Sequence, residues 1–357
     1  MNMSYLPTTY KTAELANGIV RNATKKFPRH TLNENSVVIR PDYIGICRAD
    51  VKEIIGSRDV PSDRGPLFGH ELVGTVVFGG TSSGFQEGEL VTFNPNITPD
   101  RTTGFAEYVF INGSAEQLDQ AVIRVPQQDI IHHIWMPEPM ACIVHATQKL
   151  LTLTEATDLQ GKKVGIIGAG CSGTMFAMYA KHLGASVAIF NRGKMRREFA
   201  HEKQLLCEDE IFALDNAKDH AGEFDIVMVV STIVSQDILE MAADLTASNG
   251  TVLIYGGTRE GDKFLTTGVD IDVIRRKELI RETEYQGQAL RICGAYGCYK
   301  EDYEESFRLH ATYPQQFPLE SLVSTVIEFD DFADLVMRVA AGEHDYPGKV
   351  VVRINLE

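Results

Sequence analysis

A chain of 357 residues exceeds what one ordinary hydrophobic core accommodates and points to two domains. With 44% hydrophobic and 23% charged residues it has the make-up of a soluble globular protein. A net charge of −15 argues against a general nucleic-acid or anionic-membrane surface, which would need to attract phosphates. Six cysteines form no CxxC pair, zinc-ribbon spacing or disulfide framework, so a reducing compartment is expected. The opening "MNMSYLPTTYKTAELANG" has no apolar leader core, and no apolar run is long enough to span a bilayer. The expectation is a cytoplasmic protein.

In chain order, the first part reads as short strands punctuated by Gly and Pro: "SVVIRP", "ELVGTVVFGG", "ELVTFNP", "FAEYVFING" and "AVIRVP". That spacing fits a barrel-like or sandwich-like β-rich domain. Near residue 139 the pattern changes. "PMACIVHATQKLLTL" carries helical apolar spacing, and strand and helix signals then alternate. "KKVGIIGAG" is a buried strand, "SGTMFAMYAKHLGA" a helix and "SVAIFNR" the next strand. "FDIVMVV", "ILEMAADLTASNG" and "TVLIYGG" continue the alternation, the rhythm of a parallel sheet with crossover helices. The tail adds an amphipathic helix, "DFADLVMRVAAG", and a closing strand, "GKVVVRINL", that could return to the first domain.

Gly168-Ala169-Gly170-Cys171-Ser172-Gly173 is a GxGxxG between a strand and a helix. Gly168 permits the tight turn, Gly170 admits a pyrophosphate to the backbone, and Gly173 lets helix and strand pack closely. The plain alternative is a glycine-rich turn without a ligand. About twenty residues on, an NAD site carries an acidic residue for the ribose hydroxyl; here Asn191 and Arg192 stand in its place. Arg192, Lys194, Arg196 and Arg197 would attract a 2′-phosphate, so NADP(H) is favoured over NAD(H), against the alternative of a solvated basic helix start.

Cys47, His70 and Glu71 (in "GHE"), and Glu138 (in "PEP") offer the thiolate, imidazole and carboxylate donors that Zn2+ prefers. Singly, Cys47 would read as a small buried hydrophobe and His70 as a hydrogen-bonded core histidine. The set gains meaning because it precedes a dinucleotide fold.

"GICRAD", "GHELVGTV", "GFAEYVFI", "EPMACIVHA" and "VGIIGAGCSGTMFAMYAKHLGA" together resemble the zinc-dependent medium-chain dehydrogenases, and "EPMACIVHA" is similar to their sorbitol dehydrogenase branch. The resemblance implies an α/β chain made of a GroES-like β-rich catalytic domain (1–147 and 302–357) and a doubly wound parallel-sheet Rossmann domain (148–301). It also implies that Cys47, His70 and Glu71 are zinc ligands, that Glu138 is a ligand or reaches the metal through water, and that Asp50 orients His70. Arg48 would meet the cofactor pyrophosphate, or else is an exposed turn arginine. "NPNITPDRTTG" stands, without a cysteine, where many members carry a structural zinc lobe, so one catalytic zinc and no structural zinc is expected. Ala49 stands where members usually have Ser or Thr for proton relay, leaving Lys52, Glu71, Glu138 or metal-bound water as candidates. Lys52 could equally be a surface lysine.

"YIGICRADVKEIIGSRD", the missing lobe, Ala49 and "YPGKVVVRI" are similar to the ribulose-5-phosphate reductases, also called ribitol-5-phosphate 2-dehydrogenases. That likeness implies a small-molecule polyol or ketose substrate, phosphorylated in one version, with Lys52 or Arg58 at the phosphate. Competing readings are an alcohol dehydrogenase acting on a cyclitol or amino-sugar alcohol, a zinc-free NADPH enone or quinone reductase, and a cofactor-binding scaffold. "FLTTGVDIDVIRRKELIRETEYQGQ" reads as an inserted helix or a subunit contact. By the resemblance, "ALRICGAYG" pairs sheets across a two-fold axis, so a homodimer or homotetramer is expected.

Overall fold

The computed structural model describes residues 6–57, 68–97, 100–126 and 134–355. The chain divides into two compact units. The first comprises Met1–Pro139, Tyr299–Ala311 and Val323–Glu357, and the second Met140–Cys298 and Thr312–Leu322.

The described chain opens with a hairpin of β1 (Thr9–Ala16) and β2 (Ile19–Lys26). Asn17 and Gly18, both at positive φ, make its two-residue turn. Then follow β3 (Ser36–Gly45), α1 (Arg48–Ile54), β4 (Glu71–Gly79), β5 (Leu90–Phe93), β6 (Asp100–Arg101), β7 (Val109–Asn112), α2 (Ala115–Ala121) and β8 (Val122–Arg124). Helix α3 (Pro137–Leu153) leads into β9 (Lys163–Ile167), α4 (Cys171–His182), β10 (Ser186–Asn191), α5 (Lys194–Glu202), β11 (Ile211–Ala213) and β12 (Phe224–Val229). After these come α6 (Gln236–Leu245), β13 (Thr246–Ile254), α7 (Ile271–Lys277), β14 (Ile280–Tyr285), β15 (Gln288–Gly294) and α8 (Lys300–Thr312). The described chain closes with β16 (Val323–Glu328), α9 (Phe329–Ala340) and β17 (Lys349–Arg353).

In the first unit the sheet runs β16-β17-β3-β4-β5-β8, with β7 also on β3 and β6 on β7. Strand β17 is antiparallel to β3, so the end of the chain completes the sheet that its beginning starts. Its core joins alternate residues of β3, β4 and β7 to Phe68, Phe105 and Phe332, the last two stacked at 4.0 Å. The β-rich reading of the first part therefore describes this unit, although the β1–β2 hairpin and α1 were not foreseen.

In the second unit the sheet order is β11-β10-β9-β12-β13-β15-β14, parallel from β11 to β15. The order reverses direction between β9 and β12, the switch point of a doubly wound sheet. Strand β14 is antiparallel to β15, so the sheet is mixed rather than wholly parallel. Gln286 and Gly287, both at positive φ, turn the chain between them. The segment "FLTTGVDIDVIRRKELIRETEYQGQ" is thus a short helix and the outer strand of a hairpin, and β15, expected to pair across a two-fold axis, is flanked on both sides.

Helix α3 is tied into this unit by a buried network. His145 Nε2 lies 2.5 Å from Glu278 Oε1, Lys149 Nζ lies 3.0 Å from Glu278 Oε2, and the Tyr296 N–H donates to Glu278. Glu278 caps α7 in the left-handed conformation at φ +51°. Burial would raise its carboxyl pKa, but the bonds from His145, Lys149 and Tyr296 prevail and hold it below the ordinary value. A carboxyl held low stabilises the fold above its unfolded pKa, and that contribution is lost as pH falls through the folded value. Glu278→Gln is accordingly expected to cost about 2 kcal/mol at pH 7, with the difference from wild type shrinking below about pH 4, the ordinary glutamate range. Urea unfolding at the two pH values reads both quantities.

Candidate active site

Cys47 is the N-cap residue of α1, and the Ala49 N–H points at its sulfur (3.4 Å). Asp50, on the first turn, accepts from the Cys47 N–H at 2.8 Å through Oδ2 and from the Gly69 N–H at 3.0 Å through Oδ1. His70 Nδ1 lies 3.5 Å from that Oδ1. One fully buried carboxylate thus joins α1 to the turn before β4.

Glu71 begins β4 directly opposite Gly45 of β3. Glycine is required there, because a Cβ on Gly45 would lie 2.4 Å from Glu71 Oε2 and 2.9 Å from Met136 Cγ. Lys349, two residues before Val351, which pairs with Gly45, places Nζ 2.5 Å from Glu71 Oε2. Both side chains are largely buried. Lys349 lies in the quoted "YPGKVVVRI", but no sequence signal marked it as a partner of Glu71, since only strand pairing brings residues 71 and 349 together.

Donor atoms of Cys47, His70 and Glu71 lie within 4.8 Å of one another. Glu138 is not part of this triangle; it is buried on the first turn of α3, one turn before Cys142. Lys52 sits on the last turn of α1. Arg48 pairs with Asp345 at 2.5 Å on a largely exposed surface. Arg58 lies outside the described residues.

The ionisable groups of the triangle perturb one another. Burial and the Glu71 carboxylate both push the Cys47 thiol pKa up. Burial disfavours the His70 imidazolium, yet the Cys47 sulfur and the Asp50 carboxylate outweigh it and hold its pKa well above the ordinary value. A sulfur, a ring nitrogen and a carboxylate held within 4.8 Å of one another suit a borderline-soft dication. The residues present therefore fit zinc.

In the second unit, the Gly168–Gly173 loop joins β9 to α4 at the switch point of the sheet. Gly168 has φ +116°, and a Cβ on Gly173 would lie 1.8 Å from the Gly168 carbonyl oxygen. Gly170 caps α4 without a side-chain bond, which leaves helix N–H groups for an anion. Cys171 and Ser172 form the first turn of that helix.

Asn191 is buried at the end of β10. Its Oδ1 accepts from the Ala169 N–H at 3.1 Å, and its Nδ2 donates to the Gly193 carbonyl at 2.9 Å. Its side chain thereby fixes the glycine loop. Arg197 Nη1 donates to the carbonyls of Asn191 (2.6 Å) and Arg192 (3.0 Å), a backbone clamp. The Arg192 guanidinium is 81% exposed, with Asp237 at 4.0 Å, and Lys194 pairs with Glu198. Arg196 reaches over Gly170, with Nη1 3.9 Å from where a Cβ there would stand. Arg192 and Lys194 thus face solvent, Arg197 clamps the backbone after β10, and Arg196 stands near Gly170.

The alcohol dehydrogenase GroES-like domain family matches residues 33–126. Sorbitol dehydrogenase of Bombyx mori is 30% identical over 76% of this chain and 81% of that protein. Ribulose-5-phosphate reductase of Streptococcus pneumoniae is 24% identical over 60% and 67%. A zinc-type alcohol dehydrogenase-like protein of Haemophilus influenzae is 27% identical over 49% of this chain, and the match spans about half (55%) of that protein's length. Among solved structures, a protein of Sinorhizobium meliloti described as a zinc-binding dehydrogenase and bound to NADP superposes with TM-score 0.70 at 19% identity, covering 98% and 100% of the two chains. Galactitol-1-phosphate dehydrogenase of Escherichia coli gives 0.71 at 20% identity, covering 96% and 99%.

Lys349→Met would leave Glu71 buried beside Cys47 without a counter-charge. The metal-free protein is expected to lose about 3 kcal/mol of stability, and the protein saturated with zinc clearly less. Thermal melting with and without zinc tests this; equal losses would mean that the Glu71 carboxylate does not respond to the ion.

Proposed function

The chain belongs to the zinc-type medium-chain dehydrogenase/reductase family, and on that premise we propose that it transfers a hydride between NADP(H) and a polyol or ketose, with one zinc ion held by Cys47, His70 and Glu71. The observation that carries this reading is the triangle of sulfur, nitrogen and oxygen donors within 4.8 Å, with His70 and Glu71 buried and Cys47 half-buried. When bound, zinc supplies Lewis-acid stabilisation of negative charge on the substrate oxygen and the nicotinamide supplies or accepts the hydride.

The chain's own groups have distinct tasks. Asp50 holds the His70 ring and the Cys47 backbone, fixing two of the three donors. Glu138, outside the triangle, would act through water. Ala49 has no hydroxyl, so a proton from the substrate needs another acceptor. Glu71 Oε2 and Lys349 Nζ, 2.5 Å apart, form a buried pair able to share one. Gly168–Gly173 would seat the pyrophosphate, with Asn191 keeping the loop in shape and Arg192 and Arg196 meeting a 2′-phosphate.

Among polyols, the sugar-phosphate version rests on the likeness to ribulose-5-phosphate reductase and on Lys52, which is at the end of α1. A panel of polyols, ketoses and their phosphates, each with NADPH and NADH, separates it from a neutral-polyol enzyme. A homo-oligomer is proposed through the free edge of β14, and light scattering showing a monomer would reject it.

Cys47→Ser and His70→Ala are each expected to abolish zinc retention and turnover while leaving NADPH binding measurable by fluorescence titration; full turnover in either would remove zinc from the mechanism. Arg192→Asp is expected to weaken NADPH binding about tenfold, one charge-assisted bond's worth, and to leave NADH within about twofold. Equal losses would mean that the basic cluster does not read the 2′-phosphate.

A further inference from the structure

The connection after β5 turns back through β6 and clasps the turn that carries His70. Thr103 Oγ1 and the Gly104 N–H both donate to the Phe68 carbonyl, at 3.2 and 3.3 Å, and Arg101 Nη1 donates to the Gly69 carbonyl at 3.4 Å. The two backbones pass closely enough that a Cβ on Gly104 would lie 1.9 Å from the Gly69 oxygen, and one on Gly69 2.6 Å from the Phe105 nitrogen. Gly69, at φ +69°, donates its own N–H to Asp50. The turn is thus held from one side by Asp50 and from the other by residues 101–105.

Arg101 brings a charged side chain to these contacts. Its guanidinium lies over the Phe93 ring at 4.8 Å and also donates to the Thr102 carbonyl. Burial lowers its pKa to about 10, with the Glu53 and Asp50 carboxylates of α1 acting in the opposite direction. It is therefore a cation at neutral pH, half-buried and bonded to Gly69, the residue whose N–H donates to Asp50. A buried cation persists only where charges and acceptors offset its desolvation. Here Asp50, Glu53, two backbone carbonyls and an aromatic face supply that balance.

We propose that Arg101 is a positioning residue for the metal triangle: seated between Phe93 and the Gly69 carbonyl, it fixes the Phe68–His70 turn so that His70 and Cys47 present their donor atoms to one ion. The inference rests on the reading of Cys47, His70 and Glu71 as zinc ligands. It gives residues 101–104, the end of the cysteine-free stretch, a task. The Arg101 side chain, the Thr103 hydroxyl and the Gly104 N–H all bond to carbonyls of the neighbouring turn and stabilise it. Arg101 touches neither substrate nor cofactor in this scheme. It acts through the geometry of the turn.

The test uses the full chain, zinc and cobalt(II), with Arg101→Met and Arg101→Lys. Zinc affinity is read by chelator competition, the thiolate-to-cobalt absorption band reports Cys47 at the metal, and NADPH titration reports the second unit. Wild type is expected to show the band. Arg101→Met should bind zinc 10–100-fold more weakly, the scale of losing an outer-shell partner, with a weakened or shifted band and unchanged NADPH binding. Arg101→Lys, which keeps the charge without the planar fork, should recover part of the affinity. Wild-type affinity and spectrum in Arg101→Met would overturn the positioning role while leaving the zinc reading intact. Absence of the band in wild type would overturn the zinc reading and this inference with it. If Arg101→Met does not fold, Arg101→Lys decides: severalfold weaker zinc binding at an unchanged melting temperature supports the role, and wild-type binding rejects it.

Discussion

The Asp50 carboxylate is the interaction on which the rest of the candidate site depends. It is fully buried, it takes one backbone N–H from Cys47 and one from Gly69, and it faces the His70 ring. Burying an ionised carboxylate is costly unless donors and counter-charge surround it. Here two peptide N–H groups and an imidazole do so. Because the N–H donors come from separate segments, meeting the hydrogen-bonding demand of one carboxylate also fixes the distance between Cys47 and His70. Their spacing follows from a polar group's need for partners.

Around that centre the sheet of the first unit supplies precision. Gly45, Glu71 and Lys349 come from three adjacent strands, and the register of β3 with β4 and β17 puts them on one face. A larger residue at 45 would collide with Glu71, so the glycine is what lets the carboxylate lie flat against the sheet. The second unit uses the same economy of backbone. Gly168 and Gly173 approach closely, Asn191 ties the loop to the end of β10, and Arg197 clamps the chain just beyond. Side chains that a sequence pattern would assign to a ligand are in part occupied with holding the loop that would receive it.

Much of this was legible before any coordinates. The GxGxxG between strand and helix, the strand–helix alternation beyond residue 139 and the donor types at 47, 70 and 71 all lie in local patterns with a physical meaning. What escaped notice was of two kinds. The hairpin turns at Asn17-Gly18 and Gln286-Gly287 carry a glycine signal, but the flanking strands are rich in charged residues and lack a clear apolar alternation. In the fold β2 is mostly exposed and β14 is half exposed. Helix α1 is only 7 residues long, too short for periodicity to declare itself. The roles of Lys349 and Arg101 were hidden for a different reason: each acts on a residue distant in sequence, through strand pairing or loop packing.

The sequence by itself determined the class of fold, the position of the nucleotide-type loop and the chemistry available for a metal, because these depend on residue type and short-range spacing. Tertiary structure alone decided which donors meet: Cys47, His70 and Glu71 share one triangle while Glu138 stands outside it. It also decided that Lys349 neutralises Glu71, that Asn191 and Arg197 brace the glycine loop, and that β14 rather than β15 ends the sheet. The physical reason is range. Backbone conformation is governed by neighbours a few residues away, whereas charge pairing, close packing and strand register are settled only when distant segments compete for the same buried space.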